Sequence, residues 1–392
     1  MSFEDSDVRI HFDSSGKVVT NEKGWRMSRA NVAVREGSFY YEVRIIKGGN
    51  KDDPMQQHGL DQAPKPHIRM GWARREAPLD APVGFDGYSY GVTDIRFETM
   101  HRSRPGKFYD ASSTDTKDRH VTKARTQPKK DSKVALGVIE HVQEGDVVGL
   151  EINLPSISLQ RKIASGDYNP AVDIDAGFND PAPGFQDVIR DRIPVPYKGN
   201  LYFEQLEYQA TKSMEQYGDR GPFNKAKTYP NHPEPPLRTL PHSSIRVYKN
   251  GKLAGVAFEN LLSFLPLASQ PASGTGARIG FDDGMLGYFP AIAAFSGGIA
   301  EVNFGPDFWC APWKAGKDQH DMEHDNSHAS IAGDVGRPLC ERYSEQIAED
   351  ILFDIVDEVG FFMEDGGSIS SKQTINLQSS PHVLGTPNIQ NL

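Results

Sequence analysis

Phe39-Tyr40-Tyr41-Glu42-Val43-Arg44-Ile45 alternates with a period of two, the pattern of an extended chain. Successive side chains of a strand point to opposite faces, so Phe39, Tyr41, Val43 and Ile45 share one face, while Glu42 and Arg44 are expected to point to water. A sheet buried on one side follows. Working outward, short segments of this kind, each ended by Gly, Pro or Asn, run from Val8 to Trp309, with almost no apolar residues spaced three and four apart. Strands are predicted at Ile68 to Trp72, Ser89 to Val92, Asp146 to Asn153, Asn200 to Leu206 and Ala300 to Phe304. Ser244 to Tyr248 and Lys252 to Phe258 flank Asn250-Gly251, a pair suited to a type I′ hairpin because both central residues need positive φ. The fold class is all-β, an antiparallel β-sandwich over residues 8–309. Insertions are expected to loop out of its core at about 110–138, 164–192 and 216–241, where polar residues, Pro and Gly break the pattern.

Composition agrees. The 392 residues include 37 Gly and 27 Pro, a turn-rich balance, and 37% are hydrophobic. Cys310 and Cys340 are the only cysteines, too few for a disulfide framework or a cysteine-built zinc site. The opening MSFEDSDVRI lacks a basic start and a following apolar stretch, no apolar run nears the roughly 20 residues of a membrane span, and no glycosylation sequon occurs. A soluble, unsecreted chain is expected. The net charge of −10 argues against bulk nucleic-acid affinity.

Residues 314–336 are polar and aperiodic and read as a flexible linker; after Pro338 the pattern changes. Leu339, Tyr343, Ile347, Ile351, Ile355 and Val359, joined by Leu352 and Val356, form one stripe of an amphipathic α-helix over residues 338–363, with Gly360 as a stop signal. Its other faces are acidic: Arg337 to Asp365 holds nine Asp or Glu against two Arg. Two uses of the stripe remain open, binding another protein or packing back on the sandwich. Residues 366–392, rich in Ser, Asn and Gln, read as a disordered tail.

Little of the sequence asks for catalysis. Gly274 to Gly280 has the wrong glycine spacing for a dinucleotide loop, and Phe281 to Gly284 does not suit the start of a long helix. His320, His324 and His328 have helical spacing but lie in the polar linker without an apolar shell, so no metal is assigned. No Gly-x-Ser-x-Gly elbow or Cys/His dyad signature is present. Between His101 and Lys133, ten Lys or Arg face four Asp, so Arg102, Arg104, Lys123, Arg125, Lys129 and Lys130 are candidates for nucleosomal DNA contact through phosphate; a merely solvated loop explains them equally.

The run Glu22-Lys-Gly-Trp-Arg-Met-Ser-Arg-Ala30 followed by Val34 to Glu42 resembles the opening of a SPRY (B30.2-like) domain of the Ash-two/Bre-two family of COMPASS subunits, the Set-one/MLL type of histone methyltransferase complex. Ile68-Arg-Met-Gly-Trp72, Ala81-Pro-Val-Gly-Phe-Asp86, Asn200-Leu-Tyr-Phe-Glu204, Tyr248-Lys-Asn-Gly251, Tyr288-Phe-Pro-Ala-Ile292 and Val302-Asn-Phe-Gly-Pro306 follow in the family's order, and Asp350 to Val359 resembles its carboxy-terminal helix. The chain is similar to the shorter, fungal Bre-two type.

The resemblance implies a non-catalytic subunit that supports histone H3 lysine-4 methylation in the nucleus. Its SPRY surface would hold an acidic segment of a WD-repeat (Swd-one-like) subunit through Arg69, Pro82 and Phe85. Phe85 replaces the family's Tyr, and a second family arginine falls on Thr93, with Arg96 three residues on as its substitute. The helix would dock into an Sdc-one/Dpy-thirty-like dimer through Ile347, Ile351, Leu352, Ile355, Val356 and Val359. No cofactor is implied for this chain, because S-adenosylmethionine is bound by the SET-domain methyltransferase subunit. The nucleosome would be met indirectly or through the basic loop, and no membrane is involved. The alternative is a SPRY substrate receptor of a ubiquitin ligase, although no RING, B-box or cullin-box segment is recognised; a lectin-like sugar binder or enzyme is a further reading. Neither explains the helix.

Overall fold

The computed structural model describes residues 1–48, 64–109, 141–173, 193–204, 207–219, 227–272, 282, 284–312 and 336–365. The strands that build the sandwich are β1 (His11–Phe12), β2 (Val18–Thr20), β3 (Trp25–Arg29), β4 (Gly37–Lys47), β5 (His67–Ala73), β6 (Ser89–Thr93) and β7 (Thr99–His101). They continue with β8 (Arg104–Gly106), β9 (Val147–Leu154), β10 (Ser244–Lys249), β11 (Lys252–Glu259), β12 (Phe289–Phe295), β13 (Ile299–Asn303) and β14 (Arg337–Pro338). The first sheet runs β1-β2-β13-β4-β9-β10-β11, with β14 added to β4; the second runs β3-β12-β5-β6-β7-β8. All pairings are antiparallel except β14 on β4.

The alternation quoted at the outset decides where the core lies. Phe39, Tyr41, Val43 and Ile45 face the second sheet, where Ile68, Met70 and Trp72 of β5 meet them. The Tyr41 ring stands edge-on to Trp72 at 5.1 Å and its hydroxyl donates to the Gly71 carbonyl, which ties the sheets together with one directional contact. The β10–β11 hairpin turns as expected at Asn250 and Gly251, with φ of 50° and 78°. A two-sheet antiparallel body with one long carboxy-terminal helix is therefore observed.

Four readings of the sequence need correction. Glu42 does not face water: it is wholly buried, because residues 308–311 fold over the outer face of the first sheet and bring the Trp309 and Cys310 N–H groups to its carboxylate. Arg44 is half-buried, its guanidinium 4.0 Å from the Trp309 ring centroid. The insertions are not wholly outside the core either. Leading into the second of them, a helix α1 (Ile157–Ser165) buries Ile157, Leu159 and Ile163, and from the insertion itself Tyr168 follows it into the core. Its nine residues are too few for a periodic signal to show. A second helix, α2 (Lys212–Gly218), buries Met214 and Tyr217 under the outer face of the second sheet, with Leu237 beside them. Of the three expected insertions, 110–138 lies outside the described residues.

The third helix, α3, spans Leu339–Asp365, so Gly360 does not end it. Glycine costs a helix only about 1 kcal/mol against alanine, too little to stop one without a left-handed cap residue and its bonds. The chain enters α3 through β14, which pairs with Phe39 and Tyr40 of β4, so the linker does not simply leave the sandwich. Residues 314–335 and the tail from 366 lie outside the described residues. Among the described residues no helix is long and apolar enough to cross a membrane.

One turn between β5 and β6 carries a half-buried acid, Asp86. Burial pushes the Asp86 carboxyl up to about 6, although the Tyr88 N–H and the Ser89 hydroxyl both donate to it. The folded value lies above the unfolded one near 3.9, so the folded chain keeps a proton that the unfolded chain releases, and stability falls as pH rises through about 4 to 6. Between pH 4 and pH 7 the wild type should lose roughly 2–3 kcal/mol relative to Asp86→Asn in urea unfolding. Parallel pH profiles for the two proteins would refute this.

Candidate functional site

Arg69 sits mid-strand on β5, opposite Ala293 of β12 and Thr93 of β6. Its neighbours Ile68 and Met70 point into the core and are wholly buried, so Arg69 projects from the outer face of the second sheet. There its guanidinium lies over the Trp25 ring, 4.9 Å from the centroid. The register places Trp25, Phe295 and His67 in one row across β3, β12 and β5. Trp25 and Phe295 are 5.1 Å apart, and the His67 ring stacks on Phe295 at 6.1 Å. Burial lowers the Arg69 pKa, and the Asp94 carboxylate opposes that shift. A guanidinium held over an aromatic ring and partly shielded from water suits a carboxylate partner, which gains a planar fork in a medium that weakens competition from water. Sequence reasoning singled out Arg69 without its support; Trp25, Phe295 and His67 become neighbours only once strand order is known.

The turn from Ala81 to Asp86 covers the same face. Phe85 N–H donates to the Pro82 carbonyl at 3.0 Å, and Gly84 has φ of +80°. A Cβ on Gly84 would lie 2.3 Å from the Met100 carbonyl oxygen, so this glycine is required both by its conformation and by the close approach of β7. The Val83 carbonyl closes over Gly91, where a Cβ would come within 2.7 Å. Gly91 pairs with Gly71, which is one same-face step from Arg69, so Arg69 and the turn share one outer surface. On it Phe85 is 47% exposed and Pro82 half-buried.

Arg96 lies in the turn that starts at Thr93, the residue paired with Arg69. The Thr93 N–H donates to the Glu98 carbonyl, and Arg96 and Phe97 both take left-handed φ, at 58° and 48°. The exposed Arg96 donates its backbone N–H to His141 Nδ1 at 2.7 Å. The structure thus brings Arg69, Pro82 and Phe85 to one face and roots the Arg96 turn at its border.

On α3 the stripe separates from the base. Leu339 is wholly buried in the core, whereas Tyr343, Ile347, Ile351, Leu352, Ile355 and Val359 are 44–55% exposed. The side chain of Val356 lies outside the described residues. Among the basic candidates Lys123, Arg125, Lys129 and Lys130 also lie outside them. Arg104 is exposed on β8. Arg102 is a correction: it is buried, with its guanidinium 3.7 Å from the Tyr217 ring centroid, and so does not share the exposed surface of Arg104. Among the described residues no three His, Cys, Asp or Glu side chains converge to hold a metal.

No family model matches the chain. It is 44% identical over 391 residues to "COMPASS component cclA" of Colletotrichum higginsianum, a match covering 93% of this chain and 62% of that protein. It is 35% identical over 382 residues to "Set1 complex component ash2" of Schizosaccharomyces pombe, covering 97% of this chain and 44% of the other. "COMPASS component BRE2" of Saccharomyces cerevisiae is 26% identical over 432 residues, covering 87% and 76%. The chain spans 62% and 44% of the lengths of the first two relatives. A solved human SPRY domain superposes with a TM-score of 0.32 and 12% identity, covering 76% of this chain and 98% of that one, a likeness too weak to carry weight. Along nearly all of its length the chain is thus similar to proteins named as components of COMPASS and Set1 complexes, the cclA, ash2 and BRE2 proteins.

Proposed function

We propose that this chain is a non-catalytic regulatory and scaffold subunit of a nuclear histone H3 lysine-4 methyltransferase complex, acting through two docking surfaces. The observation that carries the reading is the uncovered apolar stripe of α3 on a chain whose relatives are components of such complexes. A stripe about half exposed along five turns is costly to leave in water, and a helix-lined groove in a Dpy-thirty-like dimer would bury it.

The second surface is the outer face bearing Arg69, Pro82, Phe85 and Arg96. It would take an acidic segment of a Swd-one-like WD-repeat subunit, with carboxylates on the guanidinium groups and apolar contact on Pro82 and the exposed Phe85 ring. The SET-domain subunit would supply S-adenosylmethionine binding and methyl transfer, while this chain favours an ordered arrangement of the partners. Arg104 and the basic segment after it would touch nucleosomal phosphate.

The test is H3 lysine-4 methylation by the SET subunit with its WD-repeat partners, with and without this chain. Strong stimulation is expected, and Arg69→Ala should cost roughly 2 kcal/mol of WD-subunit affinity, as a hot-spot residue does. No stimulation by the wild type would sink the reading. Ile355→Glu should abolish binding of the Dpy-thirty-like dimer in a pull-down while the thermal unfolding of the sandwich stays unchanged. Normal binding by that variant would show that the stripe has another use.

A further inference from the structure

The outer face of the first sheet holds two buried carboxylates that neither docking surface uses. Glu42 on β4 is 0% exposed and Glu151 on the neighbouring β9 is 2% exposed. Tyr40 pairs with Glu151 in the ladder, and β4 residues 40 and 42 share a face, so both carboxylates lie on one side of the sheet. Burying a carboxylate is unfavourable unless donors replace its water. Each has them, and the backbone N–H donors among them come from the chain on either side of residues 313–335. Glu42 receives the backbone N–H of Trp309 at 2.7 Å and of Cys310 at 3.0 Å, together with the Tyr40 hydroxyl at 3.1 Å. Glu151 receives the N–H of Gly336 at 3.1 Å, the Tyr248 hydroxyl at 2.6 Å and the Ser38 hydroxyl at 3.0 Å.

Around these anchors the segments pack firmly. Phe308 and Ala311 join Tyr40 and Tyr248 in a small apolar cluster, with the Phe308 ring edge-on to Tyr40 at 4.9 Å. β13 pairs with β4 only along Glu42 to Lys47, and β14 takes the vacated edge at Phe39 and Tyr40. The Arg337 guanidinium lies 5.0 Å from the centroid of the Phe39 ring, Cys340 N–H donates to the Phe304 carbonyl at 3.0 Å, and Leu339 enters the main core.

We propose that Glu151 and Glu42 form a two-point latch on the outer face of the first sheet, Glu151 holding the entry to α3 at Gly336 and Glu42 holding residues 309–310, so that a partner docked on the helix stripe is held at a set orientation to the sheets. A helix on a free tether would leave its partner's position open, whereas here the direction of α3 is fixed four residues before the stripe emerges at Tyr343. The inference concerns the helix base alone and holds whichever protein occupies the stripe.

The test is amide hydrogen exchange on the whole chain without partners. In the wild type the amides of Gly336, Leu339 and Cys340 should be protected to the degree of β4. Glu151→Gln keeps the shape of the side chain but weakens its acceptors, and should speed exchange at Gly336–Cys340 by about tenfold or more, with β5 and β12 unchanged. Tyr248→Phe, which removes one donor and keeps the ring, should give a smaller increase at the same amides and serves if Glu151→Gln disturbs the whole sandwich. Rapid exchange of Gly336–Cys340 in the wild type, or unaltered exchange in the folded variants, would overturn the latch.

Discussion

The constraint on which the rest depends is that β4 is covered on both faces. Eleven residues long, it runs through the middle of the first sheet, and its apolar side closes the core through Tyr41, Val43 and Ile45. A strand that also buries Tyr40 and Glu42 on its other side needs a second layer there, and the chain around 308–311 and 336 supplies it. That layer forces the carboxy-terminal helix to begin beside β4. The position of α3 is therefore a consequence of how a central strand satisfies its polar groups, since a buried acceptor without donors would destabilise the whole sheet.

The second sheet solves the same problem differently. Its outer face is sealed at one end by α2 and the segment from Ala77 to Tyr88, which bury Met27, Ala291 and Ala293. At the other end the cover stops, and the row of Trp25, Phe295 and His67 is left half-buried with Arg69 beside it. The turn bearing Phe85 stands at the border because Gly91, having no side chain, lets Val83 approach the sheet. Exposed aromatic area next to an arginine follows from incomplete layering, and it is the composition common at the energetic centre of protein interfaces.

The strands around 39–45, 68–72, 89–92, 146–153 and 300–304 were legible because their extended pattern survives any loop length between them, and the Asn250-Gly251 hairpin because its turn chemistry is local; β3 and β12 were not, since β12 is buried on both faces and shows no alternation, and the strand predicted from Asn200 pairs with residues 193–197 outside the two sheets. The helix stripe was legible because six turns give the 3.6-residue period room to show. Glu42 was misread for a physical reason: period two tells which residues share a face, and says nothing of a third layer from 267 residues away. The short helices α1 and α2 escaped for want of length, and Arg102 because a cation in a basic run carries no sign of the Tyr217 ring that covers it. Arg69 was found through family resemblance, yet its aromatic support was not, since Trp25, His67 and Phe295 are neighbours only through strand order.

The arrangement separates two demands that conflict on a single surface. Arg69 projects from the outer face of the second sheet, while α3 departs from the end of β4 in the first, so the two sites belong to different layers about 10 Å apart through a packed core. Such a core transmits position because it resists compression and repacking. Occupants of the two sites would not compete for area, and their relative placement would be set by the sandwich between them. A flexible linker offers only proximity, an effective concentration that falls with length. A sandwich with anchored segments on both outer faces offers direction as well.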